Sequence, residues 1–392
     1  AGLCLVMLIG IFPIGSIAYN QNFVSQTHDV FKHTESTIAP GVEQYTNYAY
    51  AKDSKQMVYY VATADISRDD VIVQTAYKDA QCTDFGMDTL TNQMAAANAK
   101  YSDKNNDAFI SKHYQAVVGT NGDFYNMTTG QPTGAFVMDG VMSSNKANNR
   151  PWFAIFADGT ALCGANNADW DAAVAAHGAA QQAVGGSEVL VKNGKDITVN
   201  ASGSYNTDRH SRTMVGVTAE GKVVMAVLDG RQEPFSCGGN MHELAQIMLE
   251  AGCISAINLD GGGSTTFAAR PEGRNAVEVI NRPSDGSERS ISTGLIIAST
   301  AVPSNVFDHA TLTAQNEYVT PGSTVNVTAT GVSPAGTAAQ IPEGITYEAT
   351  LGTVTADGVF TSNGEAGDAV VSMIYEGKVV GETTIHVVIP EK

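Results

Sequence analysis

Apolar and polar residues alternate in short stretches along most of the chain, a pattern typical of β-strands rather than long helices. Strands are predicted at residues 57–64, 71–77 and 115–119. Further pairs of short apolar runs are divided by dipeptides that favour tight hairpins. These dipeptides are Asp139-Gly140, Asp158-Gly159, Asn193-Gly194 and Glu220-Gly221.

Two segments have helical patterns. Residues 88–101 have helical composition, and Asn240 with Glu243 forms a capping-box signature before a second helix. Gly252 is placed to end that helix. Its predicted buried face repeats at helical spacing through Met241, Leu244, Ala245, Met248 and Ala251. A short buried strand follows at residues 254–259 and leads into a run of glycines.

The pattern changes near residue 303. Beyond it, short strands rich in Val, Thr and Ile alternate with turn residues, as in a small β-sandwich. Residues 354–361 resemble the bacterial immunoglobulin-like repeats of surface proteins. We therefore predict an α+β protein: a mixed β-sheet domain with a few packed helices at 45–302, then a small all-β immunoglobulin-like sandwich at 303–392.

Two N-terminal segments precede these domains. Residues 1–18 form an apolar run, interrupted by Pro13 and ending in Ser16-Ile17-Ala18, which indicates a truncated signal peptide. A membrane anchor is the alternative, which Pro13 and the short span disfavour. Residues 19–44 are polar and are interpreted as a linker or strap. We expect a secreted or cell-surface protein.

Charge and cysteine content narrow the function classes. The net charge of −18 argues against nucleic acid as a partner, because binding a phosphate backbone requires a basic surface. Outside residues 1–18, Cys82, Cys163, Cys237 and Cys253 allow three disulfide pairings, and free thiols remain an equal alternative. No CxxC pair is present, so a zinc site is not expected.

Polar, glycine-bearing motifs follow several predicted strands. Asn121 and Asp123 come directly after one strand, where they can bind sugar hydroxyls or transfer a proton. Arg212 with Thr213 opens another strand, and a guanidinium there can bind phosphate in a bidentate manner. A third motif, Asp229-Gly230-Arg231, is a weaker signal, because Asp-Gly is common in turns.

The strongest motif runs from Asn258 to Thr266 (NLDGGGSTT). Three consecutive glycines cost backbone entropy, so they indicate positive φ or a close approach of the chain to a ligand. Their N–H groups can form an anion-binding nest beside Asp260, with Ser264 and Thr265 supplying hydroxyls. The motif lacks the Gly-Lys-Ser/Thr of a P-loop and the Gly-x-Ser-x-Gly of a nucleophile elbow.

The order of these motifs resembles the phosphodiester glycosidase family. The matching elements are NGDFY at 121–125, RT at 212–213, LDGR at 228–231, the helix at 240–251, NLDGGGSTT at 258–266 and NRPSDGSER at 281–289. The resemblance covers residues 100–298. Two departures are Ser211, where the family commonly has Pro, and Met214, where a small residue is usual.

The resemblance implies a hydrolase that cleaves between a sugar's anomeric carbon and a phosphodiester, for example in an N-acetylglucosamine-1-phosphodiester. The predicted signal peptide implies that this hydrolase is exported. A carboxylate must serve the oxocarbenium-like transition state. The candidate catalytic residues are Asp260, Asp123 and Asp229. The candidate substrate-binding residues are Asn121, Arg212, Thr213, Arg231, Asn258, Gly261, Gly262, Gly263, Ser264, Thr265 and Arg289.

Partners, metals and rival functions complete the prediction. The expected partner is a sugar-phosphate diester or a cell-surface glycopolymer, with cell-wall association through the C-terminal domain. No cofactor is expected to be required, and a structural calcium ion is left open. The alternatives are a metal-assisted phosphodiesterase and a non-catalytic carbohydrate-binding surface protein. Retention and inversion also remain open, because both depend on the distance between carboxylates.

Overall fold

The computed structural model describes residues 22–79, 84–143 and 148–390. The predicted signal peptide and Cys82 lie outside these ranges. The described chain divides into two compact units. The larger unit holds residues 22–271 and 276–302, and the smaller unit holds residues 272–275 and 303–390.

An eight-stranded sheet forms the centre of the larger unit. In spatial order its strands are β1 (His28–Ala39), β2 (Val42–Ala51), β3 (Gln56–Ala64), β14 (Val223–Leu228), β13 (Arg212–Thr218), β15 (Cys253–Asn258), β11 (Glu188–Lys192) and β12 (Lys195–Asp196). The middle strands are apolar on both faces, which indicates that the sheet is covered on both sides.

Two five-stranded sheets complete the strands of this unit. One has the order β17 (Glu278–Val279), β16 (Phe267–Ala269), β5 (Gln115–Asn121), β18 (Thr293–Ser299) and β4 (Val71–Tyr77). The other has the order β7 (Val141–Met142), β6 (Phe136–Met138), β10 (Ala180–Gly185), β8 (Trp152–Phe156) and β9 (Ala161–Gly164). We expected a mixed sheet, whereas the strand pairs described in this unit are antiparallel.

Helices are few, as predicted. They are α1 (Leu90–Ser102), α2 (Asn167–His177), the one-turn α3 (Ser204–Thr207) and α4 (Met241–Glu250), with a 3₁₀ turn at Gly262–Ser264. The capping box of α4 is confirmed: Asn240 accepts from the Glu243 N–H, and the Glu243 side chain accepts from the Asn240 N–H.

The core determines where the chemistry lies. One face of the eight-stranded sheet packs on the sheet that contains β5, through residues such as Val58, Val117 and Leu295. The opposite face is covered by α4, through Leu244 and Met248. The ends of β5, β13 and β15 thereby meet at one edge of this core.

The N-terminal polar segment is not a linker over its whole length. Residues 28–39 form β1, which pairs with β2 from His28 to Ala39 at the edge of the large sheet. Contacts to α4 and β3 anchor the start of this strand: buried His28 lies 3.2 Å from a Glu250 carboxylate oxygen and 3.2 Å from the Tyr59 hydroxyl. A strand at the edge of a sheet has only one neighbouring strand and is more open to solvent, so it needs few apolar residues. This explains why residues 28–39 are mostly polar.

The smaller unit consists of two four-stranded sheets around one apolar core. The first is β19 (His309–Ala314), β21 (Thr324–Val332), β24 (Val359–Thr361) and β23 (Thr353–Val354). The second is β20 (Tyr318–Val319), β26 (Lys378–Val387), β25 (Gly367–Tyr375) and β22 (Thr346–Ala349).

Residues 272–275 also belong to this smaller unit, although they are distant from it in sequence. The Glu272 carboxylate lies 3.0 Å from a His309 ring nitrogen and accepts from the Thr311 hydroxyl at 3.2 Å. The Gly273 N–H donates to the Gly336 carbonyl at 3.0 Å. Across the described ranges of the whole chain, no helix has the length and apolar character needed to span a bilayer.

Candidate active site

Asn121, the last residue of β5, joins three of the predicted motifs. Its side-chain oxygen accepts from the Thr213 hydroxyl at 2.6 Å and from the Thr266 N–H at 3.2 Å. Its side-chain nitrogen donates to the Asp260 carbonyl at 2.8 Å. Since Asn121 is buried, these bonds are shielded from water and fix the relative positions of the strand ends.

Asp123 is buried and only half satisfied. One carboxylate oxygen accepts from the Gly134 N–H at 2.5 Å, and the other has no hydrogen-bond partner. Burial raises the pKa of Asp123 to about 7, although the Gly134 N–H and Arg150 act in the opposite direction. A buried carboxyl with a free oxygen and a pKa near neutrality is suited to proton transfer.

Asp260 lies next to Asp123. Its backbone N–H donates to the Gly122 carbonyl at 3.0 Å, and one carboxylate oxygen accepts from the Gly261 N–H at 2.8 Å. Burial raises the pKa of Asp260, opposed by the Ser264 hydroxyl, the Gly261 N–H and the nearby arginines. Its charge also contributes to the raised pKa of Asp123, so the two carboxyls share one site.

The three glycines of the loop make room for arginines. Gly262 alone of the three has positive φ, at 64°. A Cβ on Gly262 would lie 3.2 Å from the Arg231 guanidinium, and one on Gly263 would collide with the Arg289 guanidinium. A Cβ on Gly261 would lie 2.7 Å from the Ser211 carbonyl.

The same loop does not form the expected nest of free N–H groups. The Gly261 N–H donates to the Asp260 side chain, and the Gly262 N–H donates to the Ser211 carbonyl at 2.9 Å. The Ser264 N–H donates to the Gly261 carbonyl at 3.3 Å. These donors are engaged within the protein, so the cations beside the loop are the stronger attraction for an anion.

Arg212 and Arg231 carry charge without a carboxylate partner. Arg212 is 3% exposed, donates to the Tyr205 carbonyl at 2.8 Å and stacks on the Tyr205 ring at 4.9 Å. Arg231 is exposed, and its Nε lies 3.3 Å from a His210 ring nitrogen. Burial lowers the pKa of Arg212 and of His210, and the neighbouring arginines add to both effects. Within the described ranges neither arginine forms a salt bridge, which leaves a local site for an anion.

Arg289 differs from these two arginines because it is neutralised. Its guanidinium forms an ion pair with Asp285 at 2.7 Å. It nevertheless lies over Gly263 and close enough to lower the pKa of Asp260. The structure therefore brings all three predicted arginines to the glycine loop.

Asp229 is fully buried, and both of its carboxylate oxygens are engaged. One accepts from the Asn281 side chain at 2.8 Å, and the other accepts from the Arg282 N–H at 2.9 Å. Burial raises its pKa to about 6. These bonds fix Asn281 and Arg282, at the start of the segment that carries Arg289. We therefore interpret Asp229 as a positioning residue.

Asn258 and Thr265 also reach the site. The Asn258 side chain donates to the Ser187 hydroxyl at 2.9 Å and to the Tyr205 hydroxyl at 3.1 Å. The Asn258 side-chain oxygen and the Thr265 hydroxyl are buried without partners. Unsatisfied buried polar atoms are rare in folded proteins, and their concentration here is typical of a ligand site.

Tyr125 and Tyr205 were not among the predicted site residues. The Tyr125 hydroxyl donates to the Ser290 carbonyl at 3.0 Å, and the ring borders a polar cleft of about 420 Å³ that also includes Gln131 and Gly134. The position of Tyr125 inside the NGDFY motif was a usable signal. Tyr205 lies in a stretch without a motif, so only the tertiary fold identifies it.

Metal and thiol groups do not add to the site. No group of three or more His, Cys, Asp or Glu side chains in the described ranges has a geometry for holding a metal ion. The prediction about cofactors and calcium therefore stays a prediction. Cys163, Cys237 and Cys253 are unpaired in the described structure.

The comparison with known proteins matches the part of the chain that carries these site residues. Residues 114–298 match the family model for phosphodiester glycosidase. The N-acetylglucosamine-1-phosphodiester alpha-N-acetylglucosaminidase of Mus musculus is 31% identical over 165 residues, covering 38% of this chain and 31% of that protein. The Bos taurus protein of the same name is 33% identical over 166 residues, covering 38% and 30%. The chain thus spans less than a third of the length of these relatives.

A solved structure shows the same fold. The catalytic domain of the zebrafish N-acetylglucosamine-1-phosphodiester alpha-N-acetylglucosaminidase, auto-inhibited by its pro-peptide, aligns with a TM-score of 0.51 and 20% identity. The alignment covers 69% of this chain and 88% of that chain. Asn121, Asp123, Arg212, Arg231 and Asp260 all lie within residues 114–298, the segment that matches the phosphodiester glycosidase family model.

Proposed function

We propose that this protein hydrolyses glycosyl phosphodiesters at the bond between the anomeric carbon and the phosphate oxygen. The supporting observation is the meeting of two carboxyls, buried Asp123 and partly buried Asp260, with two arginines, Arg212 and Arg231, that have no carboxylate partner among the described residues. In a chain of net charge −18, this local concentration of unpaired cations favours an anionic group.

The arginines bind the phosphate and stabilise it as a leaving group. Arg212 keeps Nη2 and Nε on backbone carbonyls, which leaves its Nη1 for phosphate oxygens. Arg231 lies over Gly262 and binds the same phosphate from the solvent side. When the C1–O bond breaks, its electron pair stays on the phosphate oxygen, and that anion needs no proton to depart.

The two carboxyls take different parts. Asp260 lies within the electrostatic reach of Arg212 and Arg289, which favour its ionised form, so it stabilises positive charge at the anomeric carbon. Asp123 has a pKa of about 7 and a free oxygen, so it accepts the proton of the water that adds to that carbon. The polar cleft beside Tyr125 receives the sugar ring.

The substrate class and location extend this proposal. An N-acetylglucosamine-1-phosphodiester is the first substrate to test, because the relatives named above act on that linkage by their names. We place the protein outside the cell or at its surface, acting on a surface glycopolymer. The smaller unit, with two sheets around one core, is consistent with an immunoglobulin-like sandwich that contacts the cell wall.

Hydrolysis of α-N-acetylglucosamine-1-phosphodiesters in oxygen-18 water tests the function. We expect label in the released sugar, and loss of turnover in a folded Asp260→Asn variant. Asp29→Asn is the matched control, because Asp29 is an exposed residue on β1 that pairs only with surface Lys52. Label in the phosphate would favour a metal-assisted phosphodiesterase. Sugar binding without turnover by the folded wild type would favour a carbohydrate-binding protein.

A further inference from the structure

A second cavity adjoins the phosphate-binding residues. It has a volume of about 360 Å³, and more than half of its wall residues are apolar, among them Pro151, Val189, Ile197 and Met241. We call it the Ile197 pocket. Its polar wall residues are Ser187, Glu188, Thr198 and Asn206. It therefore differs from the polar cleft beside Tyr125.

The chain segment that supplies Ile197 to the pocket exposes large side chains. Ile197 is 52% exposed, Val199 is 57% exposed and Tyr205 is 40% exposed. These residues lie within nine positions of one another on the segment between β12 and the start of β13. Exposed large apolar side chains beside a cavity are typical of a ligand-binding surface.

Hydrogen bonds connect this pocket to the proposed active site. Ser187 lines the pocket, and its hydroxyl bonds to the Tyr205 hydroxyl at 2.7 Å and to the Asn258 side chain at 2.9 Å. The Tyr205 ring also stacks on the Arg212 guanidinium. Tyr205 therefore joins the wall of the pocket to the arginine that binds the phosphate.

We propose that the Ile197 pocket binds the alcohol arm of the phosphodiester, and that this arm is an apolar aliphatic or aryl group rather than a sugar. This inference rests on the proposed function. The apolar wall residues of the pocket provide contacts for such an arm, and the Glu188 carboxylate on the same wall repels an anionic arm. The sugar and the alcohol arm then occupy separate cavities on either side of the phosphate.

Three α-N-acetylglucosamine-1-phosphate diesters with different alcohol arms test the inference: methyl, n-hexyl and mannos-6-yl. We expect the wild-type KM for the hexyl diester to be about tenfold below that for the methyl diester, because the chain buries apolar surface. The double variant Ile197→Ser/Val199→Ser should raise the hexyl KM to about the methyl value. The kcat/KM of the methyl diester should not change.

Two controls separate this inference from the proposed function. Ile254→Ser is matched, because Ile254 is 43% exposed at the end of β15 opposite to Asn258. Calorimetric binding of n-hexyl phosphate and methyl phosphate provides a readout that does not need turnover. Tighter binding of hexyl phosphate, lost in the double variant, supports the pocket even if no diester is cleaved.

Equal KM values for the three diesters, or a lower KM for the mannosyl diester, would overturn the inference while leaving the hydrolase intact. An equal effect of the double variant on the methyl and hexyl diesters would do the same, because it would show a general rather than an arm-specific defect.

Discussion

Asp123→Asn removes a buried group whose ionisation opposes folding. The pKa of Asp123 rises from 3.8 to about 7 because the carboxyl is buried. A difference of about three pH units corresponds to about 4 kcal/mol at 1.36 kcal/mol per unit. Since the folded-state pKa is the higher one, this stability is fully present below pH 4 and is lost as the pH rises through 7.

Urea denaturation at pH 5 and pH 8 measures this effect. We expect the unfolding free energy of Asp123→Asn relative to the wild type to increase by about 2–3 kcal/mol between these values, because the variant has no charge to bury. Asp29→Asn should show no such change, since Asp29 is an exposed group in a surface ion pair. Parallel pH profiles for wild type and Asp123→Asn would refute the argument from burial.

Kinetics test the proton-transfer role of Asp123 separately. The wild-type kcat/KM should rise with pH with a midpoint near 7, because the ionised carboxylate accepts the proton. In Asp123→Asn, kcat should fall by about 10²–10⁴-fold and the pH dependence should disappear. A variant with unchanged kcat would contradict this role even if the stability profile is as expected.

Three further substitutions address the residues around Asp123. Arg212→Lys should raise the KM for a phosphodiester by about tenfold or more, because a single ammonium nitrogen lacks the separated donors with which the guanidinium reaches both the Tyr205 carbonyl and a phosphate; an unchanged KM would remove Arg212 from the phosphate site. Gly263→Ala should lower kcat/KM, because the new Cβ displaces Arg289, whereas unfolding measured by denaturant should change less; wild-type kinetics would argue against that contact. Asp229→Asn should gain stability relative to the wild type as the pH rises from about 4 to about 8, because burial raises the pKa of the Asp229 carboxyl to about 6 and the amide has no charge to bury; parallel pH profiles of the unfolding free energy would contradict this argument.

Local features of the fold could be predicted from the sequence because neighbouring residues determine them. The capping box at Asn240 and Glu243 places the start of α4 correctly. Asn193 and Gly194 both have positive φ, as a two-residue hairpin requires. Glu220-Gly221 differs, since only Gly221 has positive φ, and that turn is of another type.

Long-range features could not be predicted in this way. Strand β1 has a polar sequence, and its place in the sheet is shown by its pairing with β2 and by a buried contact from His28 to Glu250, 222 residues away. The glycines at 261–263 indicated a close approach to a ligand, but the groups that lie against them are the Ser211 carbonyl and the guanidinium groups of Arg231 and Arg289. Sequence spacing does not tell which side chain will meet a given glycine.

The path of the chain through residues 272–275 limits how this protein can be rearranged. Along the sequence these four residues lie between two segments of the larger unit, but by their contacts they belong to the smaller unit, where Glu272 contacts His309 and Thr311. A truncation after residue 302 would leave the Glu272 carboxylate without either partner. The smaller unit therefore cannot be exchanged by recombination at a single junction. A replacement domain must supply its own hydrogen-bond partner for Glu272.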